Sequence, residues 1–357
     1  GFMFLAITKG REPYVLLPIG IGIIIANLPF TGLTDFAASA DGHQKSGIFG
    51  IVLYYGLTFG DILPPIIFLG LGAMTDFSPV IANPKTLLLG AASQIGIFVA
   101  FWGALVSGSF LNIQFTVEEA AVIGIIGGAD GPTTIFLSGV LAPQILGVTA
   151  VVAYTYMASV VFIQPPLMKI LTTKREREIT MSAPRDVSRI EKLIFPSIAL
   201  IVIILVVPGS APLISMFMMG NLFRESGVVP RLADAASNEL LNITTIFLMV
   251  TVGTQLSAET MFKIDTLVIF ALGMVAFGCG TMGGLLFAKF MNLILKEKIN
   301  PLIGSAGVSA VPMAARISHK IGQEADPGVF ILAHAMGPNV AGVIGSAVVA
   351  GVFISLI

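Results

Sequence analysis

Residues 120–141 read AAVIGIIGGADGPTTIFLSGVL, an apolar stretch of membrane-spanning length whose middle carries one carboxylate, Asp130. A charged side chain near the centre of a bilayer costs roughly 2.5 to 3.5 kcal/mol on insertion scales, so such a residue usually faces a polar cavity and has a function. The glycines on either side of Asp130 weaken a helix, and Pro132 removes a backbone donor. The stretch therefore predicts an opened helix around a carboxylate at membrane depth.

Two interpretations fit Asp130. Unpaired carbonyls beside a carboxylate are tolerated at membrane depth where they line a cavity, and a hard cation suits such a cavity. Alternatively, Asp130 and Gly131 only cap a half-helix whose first residue is Pro132. A Ser or Asn would cap that helix without the charge penalty, which favours the cation site.

The composition is that of a polytopic membrane protein. The 357 residues are 55% hydrophobic and 11% charged, with a mean hydropathy of +0.95, whereas a soluble domain carries about 25% charged residues. The formal net charge is −1, and its acidic and basic residues fall into separate loops, so charge reports topology here and indicates no nucleic-acid partner. The single Cys279 excludes a disulfide within the chain and a cysteine metal site.

Basic loops give the predicted orientation. The six Lys and Arg residues between 174 and 192 mark the cytoplasmic side, as do Lys9 and Arg11. The loop that carries Asp35 and Asp41 has Lys45 as its basic residue and is therefore predicted to lie outside. The apolar residues 1–7 are interpreted as the end of an earlier helix. The predicted spans are 13–30, 48–74 with interruptions at Gly60-Asp61 and Pro64-Pro65, 86–106, 144–171, 193–207, 211–223, 238–256, 265–288 and 329–354.

The Asp130 segment is predicted to be a re-entrant hairpin. Residues 107–119 are acidic and so external; a full crossing at 120–141 would then place the basic loop after residue 171 outside as well. Limbs of about ten residues are roughly 15 Å long, half of a ~30 Å hydrocarbon core, so the tip is expected near the midplane.

An internal repeat predicts a second hairpin. Loops 107–119 and 289–298 are equivalent in the repeat but acidic and basic respectively, which predicts opposite sides of the membrane and an inverted-topology repeat. The second hairpin, 301–315, would enter from the cytoplasm with its tip at 309–312 and meet the first tip at a transporter-like site. The matches are Ile67, Phe68, Leu69, Thr75 and Ser78 with Ile246, Phe247, Leu248, Thr254 and Ser257, and Gly124, Gly127 and Pro132 with Gly304, Gly307 and Pro312.

The predicted fold class is therefore all-α, with inverted-topology repeats and two re-entrant broken-helix hairpins. The predicted domains are N-terminal transmembrane helices at 1–61, repeat 1 at 62–171, a cytoplasmic basic linker with a helix pair at 172–235, and repeat 2 at 236–357.

Six sequence runs resemble one family, the integral membrane beta subunits of biotin-dependent, sodium-translocating decarboxylases that act on oxaloacetate, methylmalonyl-CoA or glutaconyl-CoA. The runs are GAMTDFSPVIANPKTLLLGAASQIGIF, GIIGGADGPTTIFLSGVLAP, YMASVVFIQPP, GNLFRESGVV, INPLIGSAGVSAVPMAARIS and HAMGPNVAGVIGSA.

This resemblance implies a multi-pass subunit in a bacterial inner membrane that decarboxylates carboxybiotin, takes up a proton and exports Na+. It implies as partners a carboxyltransferase alpha subunit, which chooses the acyl substrate, a biotin carrier subunit and a small single-span membrane subunit. A homo-oligomer in the lipid bilayer is also expected. No Ala-Met-Lys-Met motif for biotin attachment occurs in the sequence, so biotin is expected on a partner. The residues that the family associates with sodium and decarboxylation correspond to Asp130, Tyr156, Asn300, Gly304, Ser309, Arg316 and Asn339.

Several of these residues have oxygen donors suited to Na+, which is a hard cation. Each also has a structural alternative. Asn300 precedes Pro301 and would cap the second hairpin. Ser309 would bond only to its own helix backbone. Asn339 would be a turn residue, because Gly337-Pro338-Asn339 is expected to break a helix.

Arg316 is the predicted ligand for the carboxylate of carboxybiotin, because a guanidinium binds carboxylates in bidentate fashion. The alternative is a surface arginine that follows the positive-inside rule, like Lys320. Tyr156 lies within an apolar span, so its hydroxyl is expected to find a partner, as a sodium ligand, a proton donor or a core tyrosine. Tyr154 and His334 are disfavoured as functional residues.

The coupling hypothesis is that an empty Asp130 attracts Arg316 or a proton, and that Na+ releases the cationic group to hold carboxybiotin. Two other functions are possible: a secondary Na+/carboxylate carrier with the same hairpins and no decarboxylase chemistry, and a membrane anchor for a soluble carboxyltransferase. The anchor leaves the midplane carboxylate unexplained.

Overall fold

The computed structural model describes residues 2–10, 12–29, 32–35, 47–59, 61–111 and 113–357, and within these ranges it contains helices and no strand. The predicted all-α class is confirmed. Gly1, Arg11, Phe30, Asp41, Lys45 and Gly60, which the topology prediction used, lie outside the described residues.

The N-terminal part forms α1 (Phe2–Lys9), α2 (Pro13–Ala26), α3 (Ile48–Leu53) and α4 (Leu63–Met74). A π-helical segment, Tyr54–Thr58, extends α3, and the helix axis then bends by 70° before α4. The interruption predicted here is present at Asp61, which has a φ of 44°. The interruption predicted at Pro64-Pro65 is wrong, because both prolines lie in the first turn of α4, where no intrahelical N–H donor is needed.

The remaining elements follow in chain order. Residues 78–171 form α5 (Ser78–Ala82), α6 (Lys85–Ser93), α7 (Ile95–Leu111), α8 (Val117–Ile125), α9 (Gly131–Leu141) and α10 (Leu146–Leu171), with 3-10 turns at Ile126–Gly128 and Pro143–Ile145. The basic linker and helix pair contain α11 (Lys174–Arg177), α12 (Arg189–Val206), a 3-10 turn at Pro208–Ser210 and α13 (Ala211–Ser226). The last part contains α14 (Pro230–Ala235), a π-helical segment (Ala236–Leu240), α15 (Leu241–Thr254), α16 (Ala258–Met261), α17 (Ile264–Ile294), a 3-10 helix (Pro301–Gly307), α18 (Met313–Ala325) and α19 (Leu332–Leu356).

The chain is a multi-pass membrane protein. Five helical stretches of the described residues are long and apolar enough to cross a bilayer, and the bent pair α3 and α4 brings the number to six. All five extend past at least one predicted bound, and two differ most. The 31-residue α17 continues to Ile294 where the prediction ended at residue 288, and the stretch predicted to start at residue 238 starts at Pro230. The helices continue past the apolar runs because backbone hydrogen bonds of a helix also form between polar residues that flank the apolar run. The five stretches are Lys85–Gly108, Pro143–Leu171, Pro230–Thr254, Ile264–Ile294 and Leu332–Leu356.

Small residues bring the membrane helices into close contact. A Cβ atom on Gly72 of α4 would overlap the carbonyl oxygen of Phe217 of α13, and one on Gly220 would overlap that of Leu69. Close backbone approach through small residues is the usual way in which membrane helices associate without a hydrophobic driving force.

The loops predicted to be cytoplasmic contact one another at one side of the molecule. Arg224 Nη1 donates to the carbonyl of Met74 (2.7 Å), and Arg185 Nη2 donates to that of Ile81 (3.2 Å). The Arg185 guanidinium also donates to Glu191, and this bond with those from Ser188 lowers the pKa of the Glu191 carboxyl to about 2. The linker is therefore held against the ends of α4 and α5 by charged hydrogen bonds.

Replacement of Gly72 by Ala is expected to destabilise the protein by roughly 1 to 3 kcal/mol, because the added methyl group forces α4 and α13 apart. Thermal unfolding of the purified protein in detergent checks this. Gly278→Ala in α17 is the control, since its Cβ would meet only Leu167 Cδ1 at 3.7 Å. Equal melting temperatures for the two variants would contradict the packing described for α4 and α13.

Candidate functional site

Asp130 lies at a break between two buried helices. α8 passes into the 3-10 turn Ile126–Gly128, Ala129 has a φ of 55°, and Asp130 is extended before α9 begins. Oδ1 of Asp130 accepts a hydrogen bond from the backbone N–H of Thr133 at 3.2 Å. The predicted opening of the helix is confirmed, and so is the capping contact, which occupies only one carboxylate oxygen.

The other oxygen of Asp130 faces two serines. Oδ2 accepts a hydrogen bond from Ser346 Oγ of α19 at 2.6 Å, and Ser346 Oγ in turn accepts one from Ser309 Oγ at 3.5 Å. Ser309 lies in the irregular segment 308–312, which separates the 3-10 helix Pro301–Gly307 from α18. Its hydroxyl therefore bonds across to α19 and not to a helix backbone of its own.

The chain around Asp130 (residues 126–130, the first broken segment) and residues 301–312 (the second broken segment) touch each other directly. The backbone N–H of Ser309 donates to the carbonyl of Gly128 at 2.9 Å. The residues that follow the 3-10 helix Pro301–Gly307 therefore meet the residues that precede Asp130. This contact brings two of the predicted site residues, Asp130 and Ser309, into one place.

Further buried oxygens lie near this contact. Oε1 of Gln94 has no hydrogen-bond partner in the described part of the chain, and it would lie 3.4 Å from a Cβ atom on Gly128. Thr133 Oγ1 is also buried and without a partner there. Carboxylate, hydroxyl and amide oxygens are the donors that hard cations prefer, so this set fits a cation such as Na+.

A cavity of about 480 Å³ reaches the Asp130 side chain. Its walls come from α2, α4, α10, α13 and α15, and Asp130 and Ser309 are among its lining residues. Asp130 is only 4% exposed, yet it lies at neither a dry aliphatic contact nor an outer surface of the protein. The cavity is the feature expected around a functional carboxylate at membrane depth.

Two tyrosines of α10 point in different directions. They are two residues apart, about 200° around a helix. Tyr154 packs against Gly131 and lines the cavity beside Asp130. The hydroxyl of Tyr156 donates to the carbonyl of Phe270 in α17, which confirms that it has a partner but places it away from the cavity lining. The disfavoured Tyr154 is thus the tyrosine that stands next to Asp130.

Asn300 and Gly304 organise the second broken segment. Asn300 Oδ1 accepts from the N–H of Leu302 (3.1 Å), which is the predicted cap, and its Nδ2 donates to the linker carbonyls of Arg177 (2.8 Å) and Ile179 (2.9 Å). A Cβ atom on Gly304 would overlap the carbonyl oxygen of Gly284 in α17. Neither residue contacts Asp130 in the described structure.

Asn339 lies inside a continuous helix. The predicted break at Gly337-Pro338-Asn339 is wrong, because α19 runs through Pro338. Membrane helices tolerate an internal proline where neighbouring elements satisfy the freed backbone groups. Asn339 Nδ2 donates to the carbonyls of Ala306 (2.9 Å) and Val308 (2.8 Å), so it ties α19 to the second broken segment, and its Oδ1 is buried without a partner in the described residues.

Arg316 is exposed on α18, and within the described residues its guanidinium forms no hydrogen bond and no ion pair. The structure therefore does not bring it into contact with Asp130. His334, disfavoured as a functional residue, is hydrogen-bonded to the carbonyl of Ser182 at 2.9 Å.

Sequence comparison identifies relatives that match almost the entire chain. A family model described as Na+-transporting oxaloacetate decarboxylase beta subunit matches residues 1–357. The chain is 58% identical over 369 residues to methylmalonyl-CoA decarboxylase subunit beta of Propionigenium modestum, which covers 99% of this chain and 92% of the relative. It is 53% identical to glutaconyl-CoA decarboxylase subunit beta of Acidaminococcus fermentans, with coverage of 99% and 90%. It is 48% identical to oxaloacetate decarboxylase beta chain 2 of Salmonella typhi, with coverage of 99% and 92%.

Asn339→Ala is expected to lower the free energy of unfolding by roughly 1 to 3 kcal/mol for each buried carbonyl that it leaves unpaired. The carbonyls are those of Ala306 and Val308. Thermal unfolding in detergent is the measurement, and Asn238→Ala, at an exposed amide, is the control. If Asn339→Ala were as stable as the control, the hydrogen bonds from Asn339 to Ala306 and Val308 would not stabilise the second broken segment.

Proposed function

Because this chain belongs to the family of Na+-transporting oxaloacetate decarboxylase beta subunits, we propose that it is the membrane subunit of a sodium pump driven by decarboxylation. In this proposal a biotin carrier subunit delivers carboxybiotin that the carboxyltransferase alpha subunit has loaded. The C–N bond of carboxybiotin breaks, CO2 leaves, a proton goes to the biotin nitrogen, and Na+ is exported from the cell. The small single-span subunit and further copies of this chain complete the assembly in the bacterial inner membrane.

One observation carries the transport part of the proposal: Asp130 lies at the meeting point of two broken segments and faces a cavity. Na+ binds there through Asp130, Ser309 and Ser346, with Gln94 and backbone carbonyls within the same region. Bound Na+ replaces the hydroxyl proton of Ser346 as the partner of the carboxylate. A hard cation thereby removes the cost of a buried negative charge.

The broken segments act as the two re-entrant hairpins of an inverted repeat. In support, α8 packs against α9, the 3-10 helix packs against α18, and the two irregular stretches are joined by the bond from Ser309 to Gly128. Movement of this core against the remaining helices provides alternating access to the site.

The other family residues have distinct roles in this proposal. Asn300, Gly304 and Asn339 position the second broken segment through the contacts described above. Tyr156 ties α10 to α17 through its bond to Phe270 and takes part in proton delivery only if the core moves. Arg316 holds the carboxylate of carboxybiotin, and the attraction between Arg316 and an empty Asp130 couples the two processes as the core moves.

Asp130→Asn is expected to raise the half-saturating Na+ concentration about 30-fold or more, or to abolish Na+-stimulated decarboxylation, since loss of a charge at a buried site costs roughly 2 to 5 kcal/mol. Decarboxylation and 22Na+ transport are measured together in the assembled decarboxylase in proteoliposomes. Asp234→Asn on α14, which is absent from the cavity lining, is the control. Normal sodium affinity in Asp130→Asn would refute the proposal.

Uptake of labelled dicarboxylate by the chain without a biotinyl partner would identify a secondary Na+/carboxylate carrier instead.

Arg316→Gln is expected to slow decarboxylation of carboxybiotin about 10-fold to 100-fold, because a charge-assisted hydrogen bond contributes roughly 1.5 to 3 kcal/mol. The half-saturating Na+ concentration is expected to change much less. Lys320→Gln, an exposed cation on the same helix, is the control and should keep the wild-type rate. Equal losses in both variants would assign Arg316 to general surface charge.

A further inference from the structure

The cavity that reaches Asp130 has a second carboxylate. Glu12 lines it from the start of α2, and Glu12 and Asp130 are the only charged residues among the lining residues of the described chain. Glu12 also has no ion pair with any other described residue. A cleft that carries one sign of charge concentrates ions of the opposite sign. The cavity is therefore built to attract cations along its length, and not only at Asp130.

The backbone holds Glu12 in this place. Its φ is 37° and its ψ 55°, a left-handed conformation that is uncommon for residues other than glycine. Its carbonyl accepts from the N–H groups of Val15 (3.1 Å) and Leu16 (2.9 Å), which fixes the residue to the first turn of α2. Such backbone conformations persist where the surrounding structure determines them, and they cluster at functional sites.

Tyr154 lines the same cavity as the two carboxylates. Its Oη would lie 2.7 Å from a Cβ atom on Gly131, the first residue of α9. The phenol therefore places a polar group on the cavity wall beside the start of α9. Glu12, Tyr154 and Asp130 therefore belong to the wall of one cavity.

A polar stripe on another helix completes this wall. Asn238, Asn242 and Thr245 line the cavity at intervals of four and three residues, which places them on one helix face. Asn242 is exposed within a stretch that is apolar enough to span a membrane, and its amide has no hydrogen-bond partner among the described residues. An unpaired amide in such a stretch faces water or an ion in place of lipid.

We propose that Glu12 and Asn242 form a cation-recruiting vestibule that takes up Na+ from the cytoplasm and passes it to Asp130. The vestibule lies at the end of the cavity formed by the start of α2, the end of α4 and the segment that leads into α15. The inference rests on the proposed sodium-pump function, and it adds a first site that Na+ meets before the buried one.

Glu12→Gln is the test, in the assembled decarboxylase in proteoliposomes with Na+ varied at constant ionic strength. The half-saturating Na+ concentration is expected to rise about three- to tenfold, which is the effect of one nearby charge in a partly hydrated site. The fold decrease in the maximal rate is expected to be smaller than this rise. Added choline chloride should shrink this difference, because salt screens a carboxylate that acts at a distance. Asn242→Leu should raise the half-saturating concentration in the same direction.

Glu239→Gln is the matched control, since Glu239 is exposed in the same helical stretch but does not line the cavity. An unchanged half-saturating Na+ concentration in Glu12→Gln, or an equal rise in Glu239→Gln, would overturn the vestibule. A loss of maximal rate with unchanged sodium dependence would also overturn it and make Glu12 a structural residue. If Glu12→Gln does not fold, Asn242→Leu with wild-type sodium dependence overturns it equally. Absence of Na+ stimulation in the wild-type protein would instead refute the sodium pump itself.

Discussion

The structure depends on one carboxylate that is buried inside the protein without a cationic partner in the described residues. Within the described residues no Lys or Arg pairs with Asp130, whose oxygens are bound instead by Thr133 N and Ser346 Oγ. Hydrogen bonds from neutral donors leave a buried charge incompletely compensated, so the site favours a positively charged partner, either a proton or a metal cation. The neighbouring packing follows from the same need. Gly127 lies so close to Gly96 of α7 that a Cβ would come within 2.6 Å of its carbonyl carbon, and this allows a broken backbone to be enclosed by helices.

The sequence predicts the parts of this site that depend on local chemistry. A carboxylate within an apolar stretch, with Gly and Pro beside it, identifies Asp130 and the break around it. The composition and the apolar runs predict the polytopic all-α class. Asn300 before Pro301 likewise predicts the observed cap, because a cap is formed by residues that are neighbours in the chain.

Other parts depend on contacts between distant residues and could not be predicted in this way. Ser346 is 216 positions away from Asp130, in a run of Gly, Ala and Val where a serine has no distinctive pattern. The choice between Tyr154 and Tyr156 depends on which side of α10 faces the cavity, and an apolar helix with polar residues on several sides does not reveal it. The break expected at Pro338 is absent because packing against the second broken segment, through Asn339, holds α19 together.

The second broken segment connects the buried Asp130 region to the linker. At one end Asn300 holds the linker carbonyls of Arg177 and Ile179, and at the other end Ser309 meets Gly128 and Ser346. A change at the linker can therefore reach the carboxylate through one short element. Such a path is the kind of contiguous contact network through which two sites are coupled.

The central claim is that the purified subunit binds Na+ at Asp130, in the wall of the cavity, before any decarboxylation takes place. Equilibrium binding of 22Na+ to the wild-type subunit in detergent, without biotin or partner subunits, tests it most directly. The account predicts saturable binding that unlabelled Na+ displaces and that choline does not. Binding that rises linearly with concentration and shows no displacement would contradict it.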